Sequence, residues 1–340
     1  MDCIGLDLHK RESQLCILTE AGEVIEQRIV TSRERFAAVL GVRSPARILL
    51  EASTESEWVA RHLEGLGHEV IVADPTYAPM YATRSRRVKT DRRDARTLAD
   101  SCRLGAFRAA HRASDAQRHV RAQLAVRDAL IRTRTRYVAV VKALLRRDGW
   151  RLPRGVPAHL GERIAALPIG PTAATELKPL LALLAPLQGE IDAADRQLAA
   201  LAAHDPVVGR LTGIPGVGPV TAVGFVAALD EVGRFASARQ VAGYLGLAPS
   251  ERSSGEQQRR GRISKTGNPR ARVLLVEAGW RLLRSRQPDA APLRAWAERI
   301  AARRGRAIAA VALARRLARI LYAVWRDGEE YQVERVAEAA

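Results

Sequence analysis

Cysteine is scarce in this 340-residue chain. Cys3, Cys16 and Cys102 are unevenly spaced, with no CxxC and no Cys/His pair at zinc-ligand spacing. That pattern excludes a disulfide framework and a structural zinc as organising devices. Long hydrophobic runs are missing too. No apolar stretch is long enough to span a bilayer, and none has the form of a signal-peptide core, so the expectation is a soluble, cytoplasmic protein. Lysine is nearly absent: Lys10, Lys89, Lys142, Lys178 and Lys265 are the only ones. Negative charge is also short, with 37 acidic residues against 55 basic ones and a formal net charge of +18.

What is present follows from that imbalance. An excess of cations of this size suits an extended polyanion, because many weak phosphate contacts and counterion release need many cations. Nearly all of them are arginine, whose planar fork fits phosphate bidentately. Genomic base composition accounts for part of the Arg-to-Lys ratio but not for the net charge. The expected partner is nucleic acid, and the expected working place is the nucleoid. A hydrophobic content of 47% is enough for real cores, and the length suits two or three domains.

The first third reads as α/β. Residues 3–8, 14–18 and 24–30 are strand-like and joined by short turns around His9-Lys10-Arg11 and Glu20-Ala21-Gly22, which favours an antiparallel meander. The pattern then alternates: helix over 33–42, strand over 47–51, amphipathic helix over 55–66, strand over 69–73. Alternation of this kind indicates βα crossovers and parallel pairing. Three meander strands followed by βαβα is the element order of a ribonuclease-H-like mixed sheet.

Four acids stand out within this region. Asp91 and Asp94 lie three apart in Lys89-Thr90-Asp91-Arg92-Arg93-Asp94-Ala95, on the opening turn of a helix expected to run to about residue 104, so both carboxylates share a face. Two anions so placed need an offset, either neighbouring arginines or a hard divalent metal with oxygen ligands. Asp7 ends one apolar run and Glu51 another. Acids in such places are costly unless they do something there. Singly, each acid reads equally well as a cap, a turn residue or a salt-bridge partner, and Arg92, Arg93 and Arg96 lie beside the second pair. Jointly, with Asp7 and Glu51 at strand ends in ribonuclease-H order, a metal site is the better reading. Four carboxylates from separate elements can hold two Mg2+ ions, with Mn2+ as a substitute, for an in-line phosphodiester displacement.

The middle is helical. Ser114 and Gln117 form a capping box that opens a helix to about residue 147, with Val120, Leu124, Ile131, Val138 and Leu145 near a seven-residue repeat. A second long helix begins near Thr172, with Leu184, Leu187, Ile191, Ala194, Leu198 and Leu201 at coiled-coil-like spacing and a kink expected at Pro186. An antiparallel helical pair results, either packed within its own chain or serving as a dimerisation device. From Leu211 a glycine-rich turn, Gly213-Ile214-Pro215-Gly216-Val217-Gly218-Pro219, leads into a helix and resembles a helix-hairpin-helix motif. There Gly216 and Gly218 would let the backbone approach a phosphate. After Gly243-Tyr244-Leu245-Gly246-Leu247-Ala248-Pro249 comes a polar basic loop over 250–268, with Arg252, Arg259, Arg260, Arg262 and Lys265 as candidate phosphate contacts. Helix resumes by Val273, and the chain frays from about Asp327. Arg303, Arg304, Arg306, Arg315, Arg316 and Arg319 alternate with apolar residues beyond Trp280, as a phosphate-facing surface or a solvated helix face.

Gly5-Leu6-Asp7-Leu8-His9-Lys10, Leu50-Glu51-Ala52-Ser53 and Lys89–Ala95 resemble the Asp-Glu-Asp-Asp motifs of the "one-hundred-and-ten" family of insertion-sequence transposases. The N-terminal domain of that family is similar to the RuvC Holliday-junction resolvase. The 213–222 turn and the Ser-Gly string ahead of Ile263-Ser264-Lys265 resemble its C-terminal domain. The resemblance implies a DNA recombinase guided by a structured bridge RNA. Its nucleophile would be Ser254, which precedes Gly255, completed by the tetrad Asp7, Glu51, Asp91 and Asp94 of another subunit in a tetramer built from dimers. The choice of Ser254 over Ser253 rests on the Ser-Gly match alone. One departure is the absence of a glycine soon after Glu51, where this chain has Ser53-Thr54-Glu55. The implied domains are a RuvC-like domain over 1–110, a helical region over 111–205 and a mainly helical transposase domain over 206–330. From the residues themselves, two other readings stay open: a metal-only nuclease cutting by water attack, and a non-catalytic nucleic-acid-binding protein.

Overall fold

The chain is described from a computed structural model over residues 1–81, 90–153, 155, 159–254 and 257–333, with the backbone alone described for 251–254 and 257–260. Met1–Ala113 forms one compact unit, and a second begins at Ser114.

The first unit is a five-stranded mixed sheet. Strands β1 (Cys3–Asp7), β2 (Glu12–Leu18) and β3 (Val24–Val30) form the antiparallel meander. Helix α1 (Arg33–Leu40) leads to β4 (Arg47–Glu51), and α2 (Ser56–Gly65) leads to β5 (Glu69–Ala73). Both β4 and β5 join in parallel, giving the order β3-β2-β1-β4-β5 with β1 in the centre. Helix α3 (Asp91–Leu104) closes the unit. The Ser32 hydroxyl caps α1 by accepting from the Arg35 amide.

Side-chain alternation assigns the two faces of the sheet. Ile4, Leu6, Ile48 and Leu50 pack with Leu15, Ile17 and Ile29 against Phe36 and Leu40 of α1 and Val59, Ala60 and Leu63 of α2. The opposite parity, Cys3, Gly5 and Asp7 on β1 and Leu49 and Glu51 on β4, faces the other way. There Leu49 and Ala73 pack with Leu98 and Cys102 of α3, and Cys16 and Leu18 with Ala95 and Ala99. Helix α3 is capped by Thr90, whose hydroxyl accepts from the Arg93 amide at 3.3 Å, and ends at Gly105 in the left-handed region at φ 66°. Gly5 allows α3 to lie directly on β1. A Cβ there would meet the Ala95 carbonyl oxygen at 2.0 Å and the Ala99 nitrogen at 2.3 Å.

The second unit is mostly helical. Helix α4 (Asp115–Arg147) starts at Ser114, whose hydroxyl accepts from the Gln117 amide. Asp230 fixes that cap by accepting from the Ser114 amide and hydroxyl at 2.9 and 2.7 Å. A short helix, α5 (Leu160–Ala165), precedes α6 (Pro171–His204). Helices α4 and α6 pair, as the sequence pattern anticipates, and α6 is continuous although Pro179 and Pro186 lie inside it. One end of the pair has its own core of Val141, Leu145, Leu160, Ile164, Leu177 and Leu184. Leu124, Leu198 and Ala202 belong instead to the large core that follows.

That core is built by α7 (Pro206–Thr212), α8 (Pro219–Leu229), α9 (Ala238–Tyr244), α10 (Pro269–Leu282), α11 (Ala291–Arg304) and α12 (Arg306–Asp327). Helix α8 is apolar all round and buried from Thr221 to Leu229, the pattern of a central helix. Tyr322 is buried and donates to the Phe235 carbonyl at 2.6 Å.

One expectation needs correcting. The 250–268 stretch is not a loop throughout: β6 (Pro249–Ser254) and β7 (Gln257–Ile263) form an antiparallel ribbon with Ser254 opposite Gln257. A ladder of backbone hydrogen bonds needs no apolar side chains, so a strongly polar sequence hides it. The hairpin signal was nonetheless present, two residues, Gly255-Glu256, between the paired runs. No helix among the described residues is long and apolar enough to cross a membrane.

Candidate metal centre

Strand parity and register bring the first two acids together. Leu6 pairs with Leu50 in the parallel β1–β4 ladder, so Asp7 and Glu51 end adjacent strands on the α3 side. The last two come from α3. Its buried row runs through Asp94, Leu98 and Ser101, and Asp91 lies one turn earlier on the same face. Asp94 keeps only 8% of its exposure, a burial that charged side chains seldom reach. Asp91 is largely open, with 57% of its side chain exposed.

The electrostatics at Asp7 reflect its burial and its charged neighbours. Burial pushes the Asp7 carboxyl above the usual carboxylate range; nearby His9 opposes that shift, and the charges of Asp94, Asp91 and Glu51 each add to it. All three other acids therefore lie close enough to act on Asp7. Two of the flanking arginines are engaged elsewhere: Arg92 pairs with Glu26 on β3, and Arg96 pairs with Asp100 one turn on.

Two participants were missed from sequence. His9 Nε2 is 3.3 Å from Asp7 Oδ2 and 3.5 Å from Asp91 Oδ1. Ligand atoms from Asp7, His9 and Asp91 all lie within 4.8 Å of one another. An octahedral ion with ligands at about 2.1 Å keeps opposite ligand atoms about 4.2 Å apart, so a contraction of a few tenths of an ångström would close the three on one ion. The signal for His9 was its place two residues after Asp7, the spacing that keeps extended residues on one side. Tyr81, in the 3-10 turn Ala78–Tyr81, donates to Glu51 Oε1 at 2.5 Å. No spacing in the sequence ties it to Glu51. The ligand atoms that gather are those of Asp7, His9 and Asp91, a donor set that suits a divalent cation, whereas Glu51 and Asp94 act on Asp7 through their charge but lie outside that group. A cation would reverse the repulsion that the acids impose on one another.

The predicted nucleic-acid segments lie in the second unit. Gly216 has φ 81° in the turn between α7 and α8, and a Cβ there would meet Leu282 Cγ at 2.7 Å, so the fold itself requires glycine. Gly218 is the N-cap of α8. Arg262 and Lys265 are exposed, and Lys265 has φ 58°. The side chains of Arg252, Arg259, Arg260, Ser253 and Ser254 lie outside the described residues, as do Lys89 and Gly255. Below Ser254 the ribbon is clamped. A Cβ on Gly246 would meet the Thr266 carbonyl oxygen at 2.2 Å, and one on Gly267 the Tyr244 carbonyl oxygen at 1.9 Å. Arg272 donates to the carbonyls of Leu245 and Thr266 at 3.0 and 2.8 Å. Among the late arginines, Arg303, Arg304, Arg306 and Arg319 are exposed, whereas Arg316 is half-buried and stacks over Trp296 at 4.7 Å.

A mixed α/β unit with converging acids, followed by a strongly basic helical unit, defines a class of metal-assisted enzymes acting on nucleic acid. Comparison with known proteins narrows this. A family model for the IS110-type DEDD transposase domain matches residues 4–147, and the model described as "Transposase IS116/IS110/IS902 family" matches residues 208–293. Over 334 residues the chain is 28% identical to the transposase for insertion sequence element IS1111A of Coxiella burnetii, covering 97% of this chain and 91% of that protein. A probable family 20 transposase of Pseudomonas aeruginosa is 30% identical over 327 residues, 94% of this chain and 96% of that protein. The transposase for insertion sequence element IS1328 of Yersinia enterocolitica is 27% identical over 330 residues, 96% and 97% of the two chains. The chain belongs to the IS110/IS116/IS902 family of transposases, enzymes whose substrate is DNA.

Proposed function

We propose that this transposase is a bridge-RNA-guided DNA recombinase in which a serine nucleophile works with an acidic metal site. The observation that carries the reading is the gathering of Asp7, His9 and Asp91 ligand atoms within 4.8 Å of one another, and the charges of Asp94, Asp91 and Glu51 acting on the Asp7 carboxyl support it. The strand order β3-β2-β1-β4-β5, with the acids on and beside its central strand, supports a RuvC-like, ribonuclease-H-type first domain. The proposed parts are that domain over 1–110, a dimerising helical region over 111–205, and a transposase domain with a helix-hairpin-helix-like turn over 206–330.

In this reading Asp7, Glu51, Asp91 and Asp94 hold divalent ions, Mg2+ or Mn2+. Bound there, such ions supply charge stabilisation at the phosphodiester oxygens and favour ionisation of an attacking hydroxyl. Tyr81 fixes the rotamer of Glu51 through its hydroxyl. Ser254 Oγ attacks phosphorus, loses its proton, and displaces one strand end as a hydroxyl, leaving a phosphoserine ester. Attack by the hydroxyl of another strand reverses the step and rejoins the DNA, so the bond energy is kept. Arg252, Arg259, Arg260, Arg262 and Lys265 neutralise phosphate charge on both sides, with Gly216 and Gly218 presenting backbone at the helix-hairpin-helix-like turn. Acids from one subunit and serine from another complete each site in a tetramer.

The test is strand exchange on paired donor and target DNA with and without the element's non-coding RNA. Ser254→Ala is expected to abolish exchange and the covalent protein–DNA adduct, and Asp91→Asn to abolish both as well. Exchange that survives Ser254→Ala removes the serine mechanism and leaves a metal-only nuclease. Equal recombination without RNA removes the guide.

A further inference from the structure

His9 stands in the turn between β1 and β2. Its side chain is 54% exposed, yet the ring nitrogen is directed at two carboxylates, 3.3 Å from Asp7 and 3.5 Å from Asp91. Its backbone is pinned. The Thr31 hydroxyl donates to the His9 carbonyl at 2.8 Å, and the Thr31 amide donates to the Arg11 carbonyl two residues on at 2.9 Å. The Thr31 hydroxyl also meets that of Ser13 at 2.6 Å, which ties the turn to β2. The neighbouring Lys10 and Arg11 are exposed. The residue facing the two acids is thus one that can offer a lone pair to an ion.

We propose that His9 is a direct ligand in this centre, and that its nitrogen makes the centre prefer a first-row transition ion such as Mn2+ over Mg2+. The inference rests on the acidic metal site proposed above. Mg2+ demands near-ideal octahedral oxygen coordination and gives up its waters reluctantly. Imidazole and carboxylate together are the ligand set of first-row divalent ions, as in the facial triads that hold Fe2+. A site made only of the four acids carries no such bias. With Asp7, His9 and Asp91 on one ion, the nitrogen weakens the claim of Mg2+ and leaves Mn2+ favoured.

The full-length protein is titrated with Mn2+, following the signal of the free ion by electron paramagnetic resonance, then competed with Mg2+. Electron spin echo modulation at the bound Mn2+ reads nitrogen coordination directly. The wild type is expected to show nitrogen-14 modulation. His9→Ala is expected to lose it and to bind Mn2+ about tenfold or more weakly, the scale on which ligand-sphere changes act, with Mg2+ affinity unchanged. Circular dichroism checks the fold of the variant; the wild-type spectrum decides the question by itself if the variant misfolds. Bound Mn2+ without nitrogen modulation in the wild type, modulation that persists in His9→Ala, or equal weakening of both ions overturns the inference. Asp91→Asn separates the two layers. Loss of both ions in Asp91→Asn, beside unchanged Mn2+ binding in His9→Ala, removes His9 and leaves the acidic site. Wild-type binding of both ions by Asp91→Asn removes the acidic site and His9 with it.

Discussion

Gly5 and Ala95 touch backbone to backbone, so closely that a Cβ on Gly5 would sit 2.0 Å from the Ala95 carbonyl oxygen. The contact sets the height of α3 above β1 and so the distance from Asp94, next to Ala95, to Asp7, two residues beyond Gly5. No rotamer can relieve a clash with backbone. Gly5→Ala is expected to lift α3 and cost about 1–3 kcal/mol of stability, the usual range for overpacking. Activity and divalent-ion binding should fall further than that loss of folded protein explains. Thermal unfolding beside metal titration checks this. A variant with full metal affinity would mean that the helix height is not what positions the acids.

Asp7 should show a trade between stability and function. Its carboxyl is raised first by burial and then by Asp94, Asp91 and Glu51. A carboxyl whose folded-state pKa lies above its unfolded value takes up protons on folding between the two. Metal-free protein therefore loses stability as pH rises through that window, and the penalty is complete above it. In EDTA at neutral pH, Asp7→Asn is expected to be more stable than the wild type, with the difference vanishing in acid below both pKa values. The same variant should be inactive and gain nothing from added divalent ion, whereas the wild type gains. Denaturant melts across pH, with and without metal, read all three effects. A less stable variant at neutral pH would contradict the sign.

Much of the first unit was legible because its residues obey one period at a time. The strands over 24–30, 47–51 and 69–73 agree with the observed β3, β4 and β5, and strand-end acids were recognisable because a carboxylate after three apolar residues is anomalous. The α3 start was legible from Asp91 and Asp94 at helical spacing. Tyr81 was not, since its bond to Glu51 joins residues 30 apart in sequence through a tertiary contact that leaves no local pattern. His9 was read as a turn residue, because a histidine beside Lys10 and Arg11 looks like solvated charge until the fold brings Asp91 over it. The β6–β7 ribbon was hidden for a different reason: its ladder is backbone, and its side chains are the polar ones expected of a loop. Gly216, read as making room for phosphate, has a packing reason as well, since a Cβ there would meet Leu282.

Tyr81 should tune the site without holding the fold. Its hydroxyl donates to the Glu51 carboxylate, and hydrogen bonds to charged groups contribute about 1.5–3 kcal/mol. Tyr81→Phe keeps the ring, which packs beside Met80, Leu98 and Cys102. Its expected effect is a roughly tenfold or greater loss of strand-exchange rate, with a stability loss no larger than the about 1.5–3 kcal/mol of that bond. Full activity would show that Glu51 needs no fixed rotamer.

Gly267 tests the serine end separately from the acids. It has φ 70°, a backbone state that side chains rarely adopt, and a Cβ there would meet the Tyr244 carbonyl oxygen at 1.9 Å. Its partner in the clamp, Gly246, has φ 69° and faces the Thr266 carbonyl just as closely. Together they lock the end of α9 to the segment between β7 and α10, which anchors the ribbon bearing Ser254. Gly267→Ala is expected to destabilise the second unit and abolish the covalent protein–DNA adduct. The acids all belong to the first unit, so divalent-ion binding should survive in the variant. Adduct assays on the full chain, paired with metal titration, read both effects. An intact adduct in Gly267→Ala would mean that the serine is positioned by something other than this clamp. Lost metal binding would mean that the two units fold as one.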